Sequence, residues 1–473
     1  MDFIQAKQIE TKNIKEAARV HFRLFEKRSF IDTPKFLEKY GLFVPEKKKF
    51  PLGYLKLWPQ DFIVEEIMLD GMIQTVFPEK FLNVKKDFIP EDSITYATLV
   101  KCGLSTIEAA EELAKNLKTN SANIKYAGVK DKHAITSQLI SIKNCDIDNL
   151  NRISASYYFI KNVFSGNKEL FLGNLRGNQF TILIRTDSGF NEKGFSKRLR
   201  NLEKNGFTNF YYIQRFGVPR LIAPYCGLSI LKGDYEGAVK NAICKTGERE
   251  LFYFQNFRME VEKSWGNWEE IESILDFFPL TFQNELRMVR YLVQNPTDFA
   301  GALNQIPRQV SIWIDSFGSL LFNKRLYFDI RENREPTPTY PLLSQEKKSW
   351  IFYKELLGQT GIFSLTHAYK NLQPFLYVIR KTGGVRKTKE KVEIINYKVL
   401  PMGVILNFNL PKGCYATSFL SHLFNLVSGI IPKKFSNLPI DTKGNIGKNS
   451  LEDILNMFSD VVNLPSWEHA WRI

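Results

Sequence analysis

Strand-like text stops near Leu221 and does not resume until Val404. This break constrains the fold more than any other feature. From Tyr54 onward, short runs alternate apolar and polar residues with the two-residue period of strands. Beyond Leu221 helical spacing takes over: Gly233 to Thr246, Trp268 to Asp276, Asn284 to Gln294 and Gln309 to Phe322. Val404 to Leu410 then reads as a strand again, and Ala416 to Leu426 as a closing helix. The pattern predicts an α/β (α+β) chain, and 473 residues exceed the usual length of one domain.

The strand-rich part carries local signals. In Asp61-Phe62-Ile63-Val64-Glu65-Glu66-Ile67 the alternating acids suit a strand with one buried face. Ser105-Thr106-Ile107-Glu108 is a capping box, and Ile107, Ala110, Leu113, Ala114 and Leu117 follow at helical spacing, so a helix opens at Ser105 and ends near Thr119. Gly177 to Arg185 is a strand with Asn178, Phe180, Ile182 and Ile184 on one face. Glu192 to Leu202 reads as a basic helix. The first 50 residues look like an extension, with a basic helix over Ile14 to Glu26 and a lysine triplet, Lys47-Lys48-Lys49, that reads as a linker or an RNA contact. The stretch from Arg380 to Lys389 is basic and glycine-containing, hence a loop: a solvated turn or another RNA contact.

A formal net charge of +15 favours a polyanionic partner, nucleic acid or an anionic membrane surface. No apolar run approaches the roughly 20 residues needed to span a bilayer, and the N-terminus lacks a charged-then-apolar signal pattern. Membrane binding therefore ranks behind nucleic acid. The five cysteines (Cys102, Cys145, Cys226, Cys244, Cys414) are far apart and odd in number. They fit neither a disulfide framework nor a zinc site, and suit a reducing, cytoplasmic setting, or a nuclear one in a eukaryote. The five histidines are scattered too. Nothing calls for a metal or a cofactor, and no obligatory protein partner is evident.

Within Ile124 to Gln138 the text runs strand, turn at Gly128, loop, second strand, with Asp131 between Lys130 and Lys132. Flanking cations favour the ionised carboxylate. Such an aspartate is a poor proton donor but serves as a nucleophile or an electrostatic stabiliser, while the lysines suit a polyanion. By itself Lys-Asp-Lys on a loop also describes an ordinary solvated turn. Phe180 likewise reads as a core ring or as a platform for an unstacked RNA base, and Asn178 as a residue of the strand start or a nucleotide contact.

The run Gly128-x-Lys130-Asp131-Lys132-x-Ala134-x-Thr136-x-Gln138 resembles the signature of the TruD-type pseudouridine synthases. Four further segments resemble the family in its order: Pro59 to Ile67, Gly177 to Phe180, Asn209 to Gly217 and Leu410 to Ser418. The resemblance covers roughly Gly53 to Val427. It implies a pseudouridine synthase catalytic domain with a mixed, mainly antiparallel sheet, interrupted by an inserted domain, the two forming a V with a basic cleft. The expected divisions are an extension over 1–50, catalytic domain over 51–220 and 398–430, insert over 221–397, and tail over 431–473.

The implied activity is isomerisation of uridine to pseudouridine in RNA, most often uridine 13 of tRNA, without cofactor. Asp131 is the implied catalytic residue. Phe180 is the implied stacking ring, with Asn178, Lys130, Lys132, Lys56, Asn209 and Arg215 as substrate-binding residues. Arg215 suits a bidentate phosphate contact or a structural tie, and Lys56 otherwise reads as the exposed face of a strand. Where relatives commonly carry Pro-Glu-Asp-Phe, this chain has Pro59-Gln60-Asp61-Phe62, and Thr208 stands where a proline is common. The stretch Gly166 to Gly173, often basic in relatives, holds few positive charges. These departures bear on the target RNA. The rival of another class is a non-catalytic RNA-binding or RNA-chaperone protein on the same scaffold. A metal-dependent nuclease would need clustered carboxylates, which the sequence around Asp131 lacks.

Overall fold

The computed structural model describes residues 3–45, 49–78, 94–145, 150, 153–187, 189–379 and 383–463. Lys47 and Lys48 of the lysine triplet and residues 380–382 of the basic stretch lie outside them. The chain forms two compact units, with boundaries that include Lys48/Lys49, Phe207/Thr208 and Lys389/Glu390. One unit holds Lys49–Phe207 and Glu390–Ala470; the other holds Thr208–Lys389 with the N-terminal segment.

The first unit is built on a mixed sheet. Its strands of three or more residues are β1 (Leu52–Tyr54), β2 (Phe62–Ile67), β3 (Ile94–Lys101), β4 (Ile124–Tyr126), β5 (Ile135–Lys143), β6 (Tyr158–Gly166), β7 (Gly177–Arg185), β8 (Glu393–Leu400), β9 (Gly403–Pro411) and β10 (Asn425–Gly429). The main run is ordered β8-β9-β7-β2-β5-β3-β6, and every pairing in it is antiparallel except β2 with β5. β10 pairs parallel with β1, while β4 pairs with the far end of β5.

β2 departs from the one-sided pattern expected of it, because all six residues are buried. It lies between β7 and β5, so both its edges are paired, Ile63 packs on the tail, and Glu65 and Glu66 are neutralised inside. Lys443 pairs with Glu65 and Lys130 with Glu66. The expected helix over Ala416 to Leu426 is also shorter. It spans Ala416–Leu420, and Asn425–Gly429 is strand β10. Tertiary pairing overrides the local pattern there: the Asn425 amide donates to the Pro51 carbonyl at 2.8 Å and the chain adds to β1. Residues 451–462 of the tail are part of this unit's core. Leu451, Ile454, Phe458, Val461 and Val462 pack with Ile63 of β2 and Ile135 of β5. Helix α2 (Thr106–Asn116) opens with the expected capping box: Ser105 Oγ accepts from the Glu108 amide, and Glu108 accepts from the Ser105 amide.

The second unit is helical. Its longest helix, α3 (Pro307–Arg331), shares a core with Ile230, Val239, Ile271, Leu286 and Val289. The N-terminal helix α1 is Phe3–Val20 rather than Ile14 to Glu26, and Ile14 and Ala17 belong to this core. Fully buried Glu10 accepts from the amides of Leu280 (2.6 Å) and Thr281 (3.1 Å) and from the Thr281 hydroxyl (2.7 Å). The N-terminal segment is therefore structural. Hydrogen bonds to a charged group contribute about 1.5–3 kcal/mol, so Glu10→Ala is expected to destabilise the helical unit by at least about 2 kcal/mol. An unchanged urea midpoint would mean this helix is undocked in solution. Among the described residues no helix is long and apolar enough to cross a membrane.

Candidate active site

The loop carrying Asp131 is held from three sides. At its start the Gly128 carbonyl accepts from Gln138 Nε2 at 2.9 Å. Gln138 Oε1 accepts from the Thr106 hydroxyl, whose oxygen accepts from the Lys130 amide, both at 2.8 Å. Below, wholly buried Lys101 at the end of β3 donates from Nζ to the carbonyls of Asp131 and Leu104, each at 2.8 Å. At its far side Lys132 pairs with Glu108 Oε1 at 2.9 Å, and so with the capping box of α2. The capping residue and the loop lysine are thus one assembly.

Lys56 reaches the carboxylate itself, with Nζ 3.0 Å from Asp131 Oδ1. Its backbone is left-handed, φ +59°. An unbranched side chain adopts this conformation only where its surroundings impose it, and such strain clusters at functional sites. The same ammonium lies 4.1 Å from the centroid of Phe62. The Asp131 side chain is 50 % exposed, whereas Lys56 is 24 % exposed. The crowded loop disfavours a charge on Asp131. Lys56, through charge and hydrogen bond, then Lys101 and His133, outweigh that and hold the carboxyl below its ordinary range. The result is an ionised carboxylate open on one side and fixed on the other.

Phe180 and Asn178 lie on β7, opposite Val64 and Glu66 of β2. The Phe180 ring is largely covered, 6 % exposed. It stacks on Phe408 at 5.3 Å and meets Phe62 edge-on at 6.2 Å. Phe62 thus links the ring to Lys56 and Asp131. Asn178 Oδ1 is buried without a protein hydrogen-bond partner among the described residues. A buried acceptor left open is costly unless a further group meets it. Gly177, which precedes it, is required sterically: a Cβ there would sit 2.2 Å from the Leu410 carbonyl oxygen.

Three expected contact residues, Lys130, Asn209 and Arg215, have protein partners of their own. Lys130 is inside, its ammonium committed to Glu66, so it braces the loop instead of facing a phosphate. Asn209 and Arg215 belong to the helical unit, with their contacts there. Buried Asn209 accepts from Arg386 Nη2 at 2.7 Å and donates to the Lys387 carbonyl at 3.1 Å. Arg215 donates to the Ser319 hydroxyl at 3.0 Å and borders a cavity of about 300 Å³. Arg386, from the basic stretch, is buried on Asn209 and stacked 3.9 Å over Tyr211.

The comparison that decides the family is a match over residues 47–339 to the model of tRNA pseudouridine synthase D (TruD). The chain belongs to the TruD family. It is a pseudouridine synthase, an isomerase. "Probable tRNA pseudouridine synthase D 2" of Methanococcus maripaludis is 30% identical, covering 79% of this chain and 95% of that protein. "Probable tRNA pseudouridine synthase D 1" of Methanocaldococcus jannaschii is 27% identical over 78% of this chain and 94% of its own. A solved Methanosarcina mazei structure, also described as a tRNA pseudouridine synthase D, shares the fold with a TM-score of 0.57 at 21% identity, covering 82% of this chain and 97% of its own.

Sequence reasoning missed Lys101, and the lysines of the tail. Lys448 donates to Gln179 Oε1 at 3.1 Å, on the strand of Phe180. One signal was legible: Lys101 closes the uncharged run Ile94 to Val100, and a lone lysine on a core strand has to be buried with partners.

Proposed function

We propose that this synthase converts uridine to pseudouridine in tRNA, at position 13 by family likeness, with Asp131 as the reacting carboxylate. The observation that carries the reading is the Lys56–Asp131 pair, an ionised carboxylate half open on a loop braced by Thr106, Gln138 and Lys101. The reaction breaks the N1–C1′ bond, turns the base and joins C5 to C1′; the C5 proton leaves and N1 gains one. A carboxylate beside the sugar either attacks C1′ or takes a proton from the sugar, and both roles need the ionised form that Lys56 sustains. The target base must leave its stack to reach the loop. In this reading Asn178 Oδ1, buried without a partner among the described residues, accepts from it, and the Phe62–Phe180 rings form its apolar wall. The unit with Asp131 is the catalytic one in this reading, RNA is the partner, and the cytoplasm the location.

The test is pseudouridine mapping on unmodified tRNA treated with wild type and with Asp131→Asn, no metal added. New pseudouridine from the wild type alone supports the proposal. Tight salt-sensitive binding without product, on tRNA and on total cellular RNA, would favour the non-catalytic binder. Phe180→Leu is expected to lower kcat/KM by about 5- to 100-fold, since base–aromatic stacking contributes ~1–3 kcal/mol. An unchanged kcat/KM in a folded variant would return Phe180 to a purely structural role.

A further inference from the structure

We propose that Lys101 is a positioning residue whose ammonium proton holds the catalytic loop in register, so that turnover declines on the alkaline side as that proton is lost. The proposal rests on the reading of Asp131 as the reacting carboxylate.

The geometry is specific. Lys101 is the last residue of β3, wholly buried, and its Nζ bridges two backbone carbonyls, Asp131 and Leu104, at 2.8 Å each. These carbonyls belong to the two segments that must be held together: the loop presenting Asp131 and the turn leading into α2. The Gly103 amide completes the tie by donating to the Lys132 carbonyl at 3.1 Å. Among the described residues no carboxylate lies within ion-pair reach of Lys101, so its charge is balanced at longer range, chiefly by Asp131 itself. A lysine buried without a paired carboxylate is costly to desolvate. Two carbonyl dipoles and the nearby Asp131 charge offset that cost only while the loop stays in place. The charge and the loop geometry are therefore coupled.

The surroundings fix the sign. Burial lowers the pKa of Lys101 to about 8, opposed by Asp131, Cys102 and Glu108 and reinforced by Lys130. Across the strand pairs stand Thr136 of β5 and Tyr158 of β6, whose hydroxyl is turned to Asn116. The folded protein releases this proton near pH 8, below the ordinary range for lysine. Above that, a neutral amine grips the two carbonyls without charge assistance, and Asp131 loses one of the cations beside it. Between about 8 and the ordinary lysine value the unfolded chain binds the proton and the folded chain does not, so this group makes the fold more stable as pH rises. The expected loss of turnover is thus not unfolding.

The experiment is single-turnover pseudouridine formation by the full chain from pH 6 to 10, with thermal unfolding at each pH. Wild type is expected to lose about tenfold or more in rate above pH 8 while Tm does not fall in step and tRNA Kd is unchanged. Lys101→Met and Lys101→Gln are expected to be about 10- to 100-fold slower at pH 7, the loss of a charge-assisted hydrogen bond, with the alkaline limb gone. A wild-type rate that is flat from pH 7 to 9.5 overturns the proposal whether or not the variants fold. Folded variants that keep the alkaline limb overturn it too. Asp131→Asn in parallel separates the two readings: if it stays active, the assignment of Asp131 fails first, and if it is dead while Lys101→Met is fast, only the proposal for Lys101 fails.

Discussion

Asp131→Asn is expected to lower kcat for pseudouridine formation by about 10³-fold or more while leaving tRNA Kd within a few fold. A positioned acid or base contributes about 10²–10⁴, and the amide can neither attack C1′ nor take a proton. Affinity is expected to survive because the charge deficit of a single exposed carboxylate is small beside a net charge of +15. Stability should change little, since the Lys56 pair is half exposed and such pairs contribute about 0–1 kcal/mol. The pH dependence follows from the depressed pKa of Asp131. The ionised form persists below the ordinary carboxylate range and is lost only as pH falls through the lowered value, so the rate should hold through mildly acidic solution. Single-turnover kinetics with RNA-binding isotherms test this. Turnover by the variant comparable to wild type would remove Asp131 from the chemistry.

Arg185→Met is expected to destabilise the sheet unit by about 3–5 kcal/mol, the cost of leaving one member of a buried ion pair without its partner. Arg185 and Asp61 are both fully buried and bonded twice, Nε to Oδ2 at 2.7 Å and Nη2 to Oδ1 at 2.8 Å. Nη1 donates to the Ser436 carbonyl at 2.9 Å, which ties in the tail. Asp61 Oδ2 also accepts from the Trp58 amide at 3.1 Å, closing the turn that follows Lys56. Losing Arg185 should therefore lower activity as well, by releasing Lys56 from its left-handed conformation. Removing both partners together, Asp61→Leu with Arg185→Met, is expected to cost less than the sum of the two single changes, because neither charge is then left alone. Urea unfolding of the three variants decides the matter; additive costs would mean that the two side chains act independently.

Much of the site could be read before any coordinates. The capping box at Ser105 forms because its reciprocal bonds span only three residues. β7 spans Gly177–Arg185 as the two-residue period indicates. The Asp131 loop follows β4 as its turn at Gly128 indicates. Less could be read where partners are distant in sequence. Nothing local distinguishes Lys130 from Lys132. Glu66, 64 residues away, draws the first inside, while Glu108 holds the second at the surface. Nothing local marks Arg215 and Asn209 as residues that bond to Ser319 and Arg386 within the helical unit. The closing helix ends earlier than its spacing predicts because Pro51 and β1 compete for the backbone of Asn425.

By itself the sequence determined the family, the strand and helix types where the periodicity is strong, and Asp131 as the carboxylate to examine. These depend on contacts within a few residues, or on motifs that survive as text. Only the tertiary structure decided which lysine touches the carboxylate, which ones brace its loop, and that Ile14 and Ala17 and residues 451–462 pack into cores. Those outcomes depend on burial and on charges met across the sheet, where desolvation forces each buried ion to find a partner that the linear order does not reveal.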